Sequence, residues 1–376
     1  MQKKPILGIT LGDPFGNGPE ITVKALAKQA IYKRCRPLVI GDAASLVYAT
    51  RVAQAVSGLD LAVRAVQDVG EAAFTHGMID VLDLGYIKYD DIPGDPSQPA
   101  PFGLGATRLG GEAAFQAVSR AIDLVMGGAL DAVVTNALSK EAIRAAGHPY
   151  SGHTEIFADR TGTADYAMML VHRDLRVVHV STHVSLREAC ERVKQDRVLA
   201  VIRIAAAGCR AIGIDNPRVG VAGLNPHGGE NGLFGREEID EIQPAIEQAL
   251  REGIRIPDRR PVPPDTIFSK ALGGWYDVVV AMYHDQGHIP VKVKGFVYDR
   301  AAGRWKAVAG INVTLGLPVI RTSVDHGTAY DQAGNGQSSE QSLVHAIDTA
   351  VRMVRARARA KAVRSSRNEP ADGGPR

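Results

Sequence analysis

Apolar runs of five to eight residues recur along the chain, separated by stretches in which apolar residues return every three or four positions. The runs at 6–11, 37–41, 131–135, 176–181, 218–224, 277–283 and 317–324 predict buried strands. The 3.6-residue period predicts helices near 108–126, 186–207, 236–252 and 338–356. Within 236–252, Ile239, Ile242, Ile246 and Leu250 share one face, Gly253 can end the helix, and Pro244 predicts a kink. Strands alternating with helices predict an α/β fold of parallel βαβ construction. The Pro- and Gly-rich stretch 92–105 predicts a long irregular connection, and the polar segment 298–306 an inserted hairpin or loop.

With 376 residues and 45% hydrophobic content, the chain is long enough for two domains and a sizeable core. Cys35, Cys190 and Cys209 are widely spaced and form no CxxC pair, which predicts reduced thiols and argues against a disulfide framework or cysteine-held zinc. No apolar run approaches the roughly 18 residues of a membrane span, and the first strand begins without a signal-peptide pattern, so a cytoplasmic protein with no membrane partner is expected. The net charge of +3 is uneven: residues 352–376 carry eight Lys/Arg against two Asp/Glu, and the remaining body carries 36 against 39. The basic stretch lacks aromatics and runs into a Pro- and Gly-rich end, which predicts a disordered, solvated tail over 357–376 and no nucleic-acid partner.

Three histidines, His183, His227 and His284, each stand just beyond a predicted strand. Open α/β sheets bind ligands at the carboxyl ends of their strands, where three imidazoles can converge on one divalent metal. Histidine coordination suits zinc, and Mg, Mn or Co with added waters are alternatives. His76, His172, His179 and His345 read as strand, surface or helix residues. The loop Gly12–Glu20 follows the first strand and opens a helix with Pro19 in its first turn, either as a tight turn alone or as a ligand-contacting loop. Arg321 follows the apolar Leu317-Pro-Val-Ile320, a setting that favours recognition of a phosphate or carboxylate by its two-pronged guanidinium.

The motifs His153-Thr-Glu, Gly223-Leu-Asn-Pro-His227, Pro264-Asp-Thr, Tyr283-His-Asp-Gln-Gly287 and Asn312-Val-Thr-Leu-Gly-Leu-Pro-Val-Ile-Arg-Thr-Ser-Val-Asp-His-Gly-Thr-Ala329 carry a resemblance. From about residue 5 to about 354 the chain resembles the PdxA family, the 4-hydroxythreonine-4-phosphate dehydrogenases of pyridoxal phosphate (pyridoxine) biosynthesis and their relatives. The resemblance implies two α/β/α domains with a cleft between them, isocitrate/isopropylmalate dehydrogenase-like, the first built from 1–140 plus 325–376 and the second from 141–324. It implies a homodimer with a shared active site, in which His183 and His227 hold a metal together with His284 of the partner subunit. By motif position, His153, Thr154, Lys292, Asn312 and Arg321 contact the substrate. Asp265 and Asp285 orient metal ligands, and Lys140 or a metal-bound water is the candidate base. Asp325, His326, Gly327, Thr328 and Asn335 resemble a nicotinamide-nucleotide loop, for NAD with NADP as alternative.

The implied reaction is an oxidative decarboxylation of a 4-phosphorylated 3-hydroxy acid, in which hydride passes from C3 to NAD and the resulting 3-keto acid loses CO2. Phe15 and Asn17 in the first loop, the absence of proline from Thr135–Lys140, the 298–306 insertion and Asp285-Gln-Gly-His288-Ile-Pro-Val-Lys292 resemble the second PdxA subgroup. That subgroup acts on 4-phospho-D-threonate or 4-phospho-D-erythronate. A cis-dihydrodiol dicarboxylate (terephthalate dihydrodiol) dehydrogenase is the alternative within oxidoreductases. A metal-dependent phosphatase is the alternative from another class, and it would leave the nucleotide loop without a purpose.

Overall fold

The computed structural model describes residues 3–301, 304–308 and 310–367. Its strands are β1 Ile6–Thr10, β2 Arg36–Gly41, β3 Ala62–Val66, β4 Met78–Asp83, β5 Ala132–Thr135, β6 Ala167–His172, β7 Leu175–His179, β8 Val219–Val221, β9 Val278–Ala281, β10 Phe296–Asp299, β11 Arg304–Val308, β12 Ile311–Leu315 and β13 Arg321–Val324. Its helices are α1 Gly18–Leu26, α2 Gln29–Arg34, α3 Ala43–Ser57, α4 Arg108–Met126, α5 Lys140–Ala145, α6 His153–Arg160, α7 Leu186–Glu191, α8 Gln195–Ala211, α9 Gln243–Arg251, α10 Pro264–Leu272, α11 His284–Gly295 and α12 Gln341–Arg367. The fold is α/β, as the alternating pattern predicts.

Eleven strands form one sheet in the order β3-β4-β2-β1-β5-β13-β12-β6-β7-β9-β8. It is mixed rather than parallel throughout. The first six strands pair in parallel, but β13–β12, β12–β6 and β6–β7 are antiparallel before β7, β9 and β8 resume parallel pairing. Three reversals leave β7, β9 and β8 running opposite to β1, β5 and β13. Strand twist of roughly 20–25° per pair accumulates to about a right angle over the four steps from β13 to β9. The carboxyl ends of the two parallel blocks can therefore meet although the blocks run in opposite senses.

Alternate strand residues face opposite layers. Val39, Val134, Val178 and Val280 pack into one apolar cluster with residues of α1, α3, α8, α9 and α12. Leu38, Ile40 and Val133 face α4, α5 and α6 on the other side. Val177, Val279 and Ala281 face α10 and α11. Burial on both faces explains why most of these strands read as continuous apolar runs.

Several boundaries differ from the sequence reading. β3, β4, β6 and β12 escape it because polar residues such as Asp80, Asn312 and Thr314 interrupt the runs, or because Met replaces Val and Ile in β6. The expected strand 317–324 begins only at Arg321, since Gly316 has a positive φ of 91° and Pro318 lacks a donor. The expected strand 218–224 shortens to Val219–Val221. The helix expected over 186–207 divides into α7 and α8. Before Pro244, residues Glu238–Ile242 form a wider π turn, which turns Ile239 out to solvent while Ile242 and Ile246 remain buried.

The 298–306 insertion falls on the β10–β11 hairpin. α12 continues to Arg367, so 357–367 is helical rather than disordered, in keeping with the high helix propensity of alternating Ala and Arg. The rest of the tail, 368–376, lies outside the described residues.

A close helix contact gives a direct stability test. A Cβ added at Gly111 of α4 would stand 2.0 Å from the backbone oxygen of Ala142 in α5, and backbone cannot yield as a flexible side chain does. Gly111→Ala is expected to cost at least the 1–3 kcal/mol typical of overpacking, read as a lowered urea midpoint, whereas Gly128→Ala, with open space around it, should lose only the smaller cost of its positive φ.

Candidate active site

Arg321 opens β13 and is 2% exposed. Its guanidinium donates to Thr314 Oγ1 at 2.9 Å and to Thr135 Oγ1 at 2.8 Å, and lies 5.8 Å from the centre of the Phe157 ring. Its Nε has no partner. Glu155 acts on it only through space, and burial pulls the Arg321 pKa down to about 9. Two neutral hydroxyls compensate a buried cation poorly, so the geometry calls for an anion.

The surroundings repeat that signature. His153 begins α6, its Nε2 is enclosed without a partner, and burial together with the Arg321 charge holds its pKa far below the ordinary range. Asn312 Oδ1, on β12, is likewise buried and unpartnered. Thr154 follows His153 and lines a cavity of about 530 Å³ together with Glu155, His179 and His183. Buried polar atoms are normally satisfied, so an unpartnered Nε on the cation and two further orphans, His153 Nε2 and Asn312 Oδ1, mark a place where a ligand can supply the partners.

The histidines are gathered differently from the sequence expectation. His183, in the loop after β7, and His284, the first residue of α11, have ring centres 5.9 Å apart. His284 stacks at 3.6 Å on His288, which lies 4.7 Å from His179. His284 Nδ1 bonds Asp285 Oδ1 at 2.6 Å, and His288 Nδ1 donates to the His284 carbonyl at 2.9 Å. Burial lowers His179 to about 3 and His288 to about 4. His183 is lowered by burial first and then by the Lys140 charge. Near pH 7 these three rings are neutral, the form that ligates metals.

His227 stands apart from that cluster. It lies in a turn whose residues His227–Asn231 all have positive φ, with its ring 6.3 Å from Phe234. Among the described residues, no group of three or more His, Cys, Asp or Glu side chains in one chain is arranged to hold a metal. The donor chemistry fits a metal, but a single chain brings together two of the three expected ligands.

Lys140 is exposed at the start of α5. Asp265 is exposed at the start of α10 and lines a groove shared with Asp285, Ile289 and Val293. Lys292 is half-buried, 5.4 Å from the Phe296 ring centre. Thr135, Thr314, His179 and His288 were missed as site residues by sequence reasoning. The i, i+4 spacing of His284 and His288 on a helix is a signal that could have found the last of these.

In the predicted nucleotide loop, Asp325 Oδ2 and His326 Nε2 are buried without partners. Burial pushes Asp325 up to about 6 against the pull of Lys292 and His284. Asp325 directly follows β13, and the charges that act on it belong to α11. His326 Nδ1 donates to Gly327 O at 2.9 Å, Asn335 Oδ1 accepts from Gln337 N–H at 2.8 Å, and Gly327 has open space around it. The loop is shaped yet has unspent hydrogen-bonding groups, which fits a polar cofactor.

Residues 33–350 match the family described as "Pyridoxal phosphate biosynthetic protein PdxA". A protein named D-threonate 4-phosphate dehydrogenase from Cupriavidus necator is 45% identical over 344 residues, which span 91% of this chain and 95% of that protein. The solved structure of a 4-hydroxythreonine-4-phosphate dehydrogenase from Burkholderia phymatum matches with a TM-score of 0.75 and 43% identity, covering 94% of this chain and 99% of that one. A terephthalate 1,2-cis-dihydrodiol dehydrogenase from Burkholderia xenovorans matches with a TM-score of 0.60 and 29% identity, covering 93% and 98%. Fold and relatives together define an oxidoreductase of the dehydrogenase class. The chain belongs to the PdxA family.

Two predictions follow from the buried charges. Arg321→Met replaces an under-compensated cation by an apolar side chain, so it should melt no lower than wild type. Inorganic phosphate should raise the wild-type melting temperature, the stabilisation approaching about 2.7 kcal/mol at 100 times its Kd, and should leave Arg321→Met unmoved. A Met variant that melts much lower yet keeps the phosphate response would assign Arg321 to the fold.

Asp325 in the folded protein keeps its proton up to about pH 6, whereas an unfolded aspartate releases it near about pH 4. Stability therefore falls as pH rises across that window. Asp325→Asn should be more stable than wild type above about pH 6 and lose that advantage below about pH 4, measured by urea unfolding across the range.

Proposed function

We propose that the protein is an NAD-dependent and divalent-metal-dependent dehydrogenase that oxidises C3 of a 4-phosphorylated 3-hydroxy acid of the D-threonate 4-phosphate kind. The observation that carries this reading is the buried Arg321 with unpartnered His153 Nε2 and Asn312 Oδ1 around it. A doubly charged phosphate would satisfy that pocket. The 45% identity to a D-threonate 4-phosphate dehydrogenase supports this substrate class over the dihydrodiol dicarboxylates, whose solved representative is 29% identical.

Arg321, His153, Thr154, Asn312 and Lys292 bind and orient the anionic ends of the substrate in this reading. By the family resemblance His183 and His227 would hold the metal with His284 of the partner subunit, although within one chain it is the His284 ring, not that of His227, that lies 5.9 Å from His183. Asp285 fixes the tautomer of the imidazole that it bonds within its own chain. When bound, the metal would polarise the substrate's vicinal oxygens and NAD would accept the hydride. Lys140 stands near enough to His183 to influence its charge and is the candidate acceptor of the C3 hydroxyl proton. Oxidation at C3 yields a 3-keto acid, which loses its carboxylate as CO2, the electron pair of the broken bond passing into an enolate that is then protonated at C2.

The shared site is supported by the apolar face beside His284. Ile289 and Val293 on α11 are 58% and 77% exposed, and Leu272 on α10 is 51% exposed. Such a face, next to a metal set that one chain leaves incomplete, suits a second copy of the chain. Residues 141–324 are taken as the second of two domains, with the site where it meets the first.

The deciding experiment is a substrate panel of 4-phosphooxy-threonine, 4-phospho-D-threonate, 4-phospho-D-erythronate and terephthalate dihydrodiol, read by nicotinamide reduction with and without chelator. Reduction with a phosphorylated acid only, abolished by chelation, is expected; turnover of the diol alone would overturn the assignment. Arg321→Ala should lose roughly 30-fold or more in kcat/KM, and Arg321→Lys should restore only part of it, because it keeps the charge but not the fork. Mixing inactive His183→Ala and His284→Ala subunits should restore activity, since one site of a mixed dimer then carries all three histidines. Verified subunit exchange without recovery would refute the shared site.

A further inference from the structure

The segment 325–338 is held from beneath by residues that the catalytic reading does not use. Glu20, on the buried face of α1, accepts the Gly336 N–H at 3.1 Å and the Ser338 N–H at 2.7 Å. Lys24, one turn later, donates to Glu20 Oε1 at 3.1 Å and to the Gly336 and Ser338 carbonyls at 2.6 and 2.8 Å. All three ammonium hydrogens are thus spent, two of them on the loop backbone. The two side chains are only 4% and 13% exposed.

The loop before α1 supplies a second clamp. The Tyr330 hydroxyl donates to Asp13 Oδ2 at 2.6 Å, while Asp13 Oδ1 accepts from Phe15 N–H at 3.0 Å. The Asn17 N–H donates to Thr328 O at 2.8 Å, and a Cβ on Gly16 would meet that oxygen at 2.9 Å.

We propose that Asp13, Glu20 and Lys24 are positioning residues that preform the 325–338 loop for nicotinamide-nucleotide binding. The inference rests on the reading of Asp325–Asn335 as the cofactor loop. An ion pair that served the fold alone would have no need to bond four backbone groups at alternate residues of one loop. Fixing those groups in advance removes the cost of ordering them when the nucleotide arrives. The exposed Gly327 and the orphaned Asp325 Oδ2 and His326 Nε2 stay free to meet it.

The test uses Glu20→Gln, Lys24→Met and Asp13→Asn in the full-length enzyme, the last nearly isosteric so that folding is preserved if the others fail. NADH affinity is read by fluorescence titration and loop order by amide hydrogen exchange over 326–338. Each variant should bind NADH about tenfold more weakly, equivalent to about 1.4 kcal/mol, with the phosphate-induced thermal shift and kcat at saturating NAD within about twofold of wild type. The loop should exchange fast in the free variants and regain wild-type protection on saturation with NADH.

Unchanged NADH affinity in all three variants, or lost stability with no change in affinity, would overturn the positioning role alone. A wild-type enzyme that neither binds NADH nor protects 326–338 would overturn the cofactor reading beneath it.

Discussion

The molecule is organised around a guanidinium buried without a carboxylate to bond it. Arg321 has two threonine hydroxyls and an aromatic ring as its close partners. Such a charge raises the free energy of the empty protein, and a hydrophobic replacement would remove that cost. Its retention makes physical sense when an anion supplies the missing compensation. Burial first, and then the Arg321 charge beside it, keep His153 neutral. His153 is thereby left to hydrogen-bond rather than repel, and the pocket is tuned to one charged ligand.

The reversal of strand direction across β13, β12, β6 and β7 decides what can meet that ligand. A sheet parallel throughout would carry every strand end along one rim. Here the two parallel blocks run in opposite senses. Asp325 after β13 feels Lys292 and His284 from α11, and His183 after β7 feels Lys140 after β5. The Arg321 pocket, the imidazoles and the loop after β13 therefore occupy one region although their residues are spread over some two hundred positions of the chain. The imidazoles there are held neutral by burial, while His227 remains on a turn of its own.

The strand–helix alternation was readable from the chain because it depends on near neighbours. Apolar runs placed β1, β2, β5, β7 and β9 to within about two residues, and periodicity placed α4 at its observed bounds. Local chemistry also explains the failures. Asp80 and Thr314 broke the apolar signal of β4 and β12 because their polar groups are satisfied by partners on the adjacent strands, Arg64 and Arg321. The Ala–Arg stretch after residue 355 read as a tail by charge, yet its helix propensity carries α12 onward.

By itself, the sequence determined which residue types were available for chemistry: histidines just beyond apolar runs, an arginine beside a buried segment, and motifs long enough to name a family. Those are properties of short segments. Only the tertiary structure decided which of them act together. The pairing of Arg321 with Thr135, the stacking of His284 on His288, the separation of His227, and the grip of Glu20 and Lys24 on a loop over three hundred residues away all depend on sheet order and twist. No local pattern encodes those, because the energy of a buried charge or an orphaned hydrogen-bonding group is set by what the rest of the chain places around it.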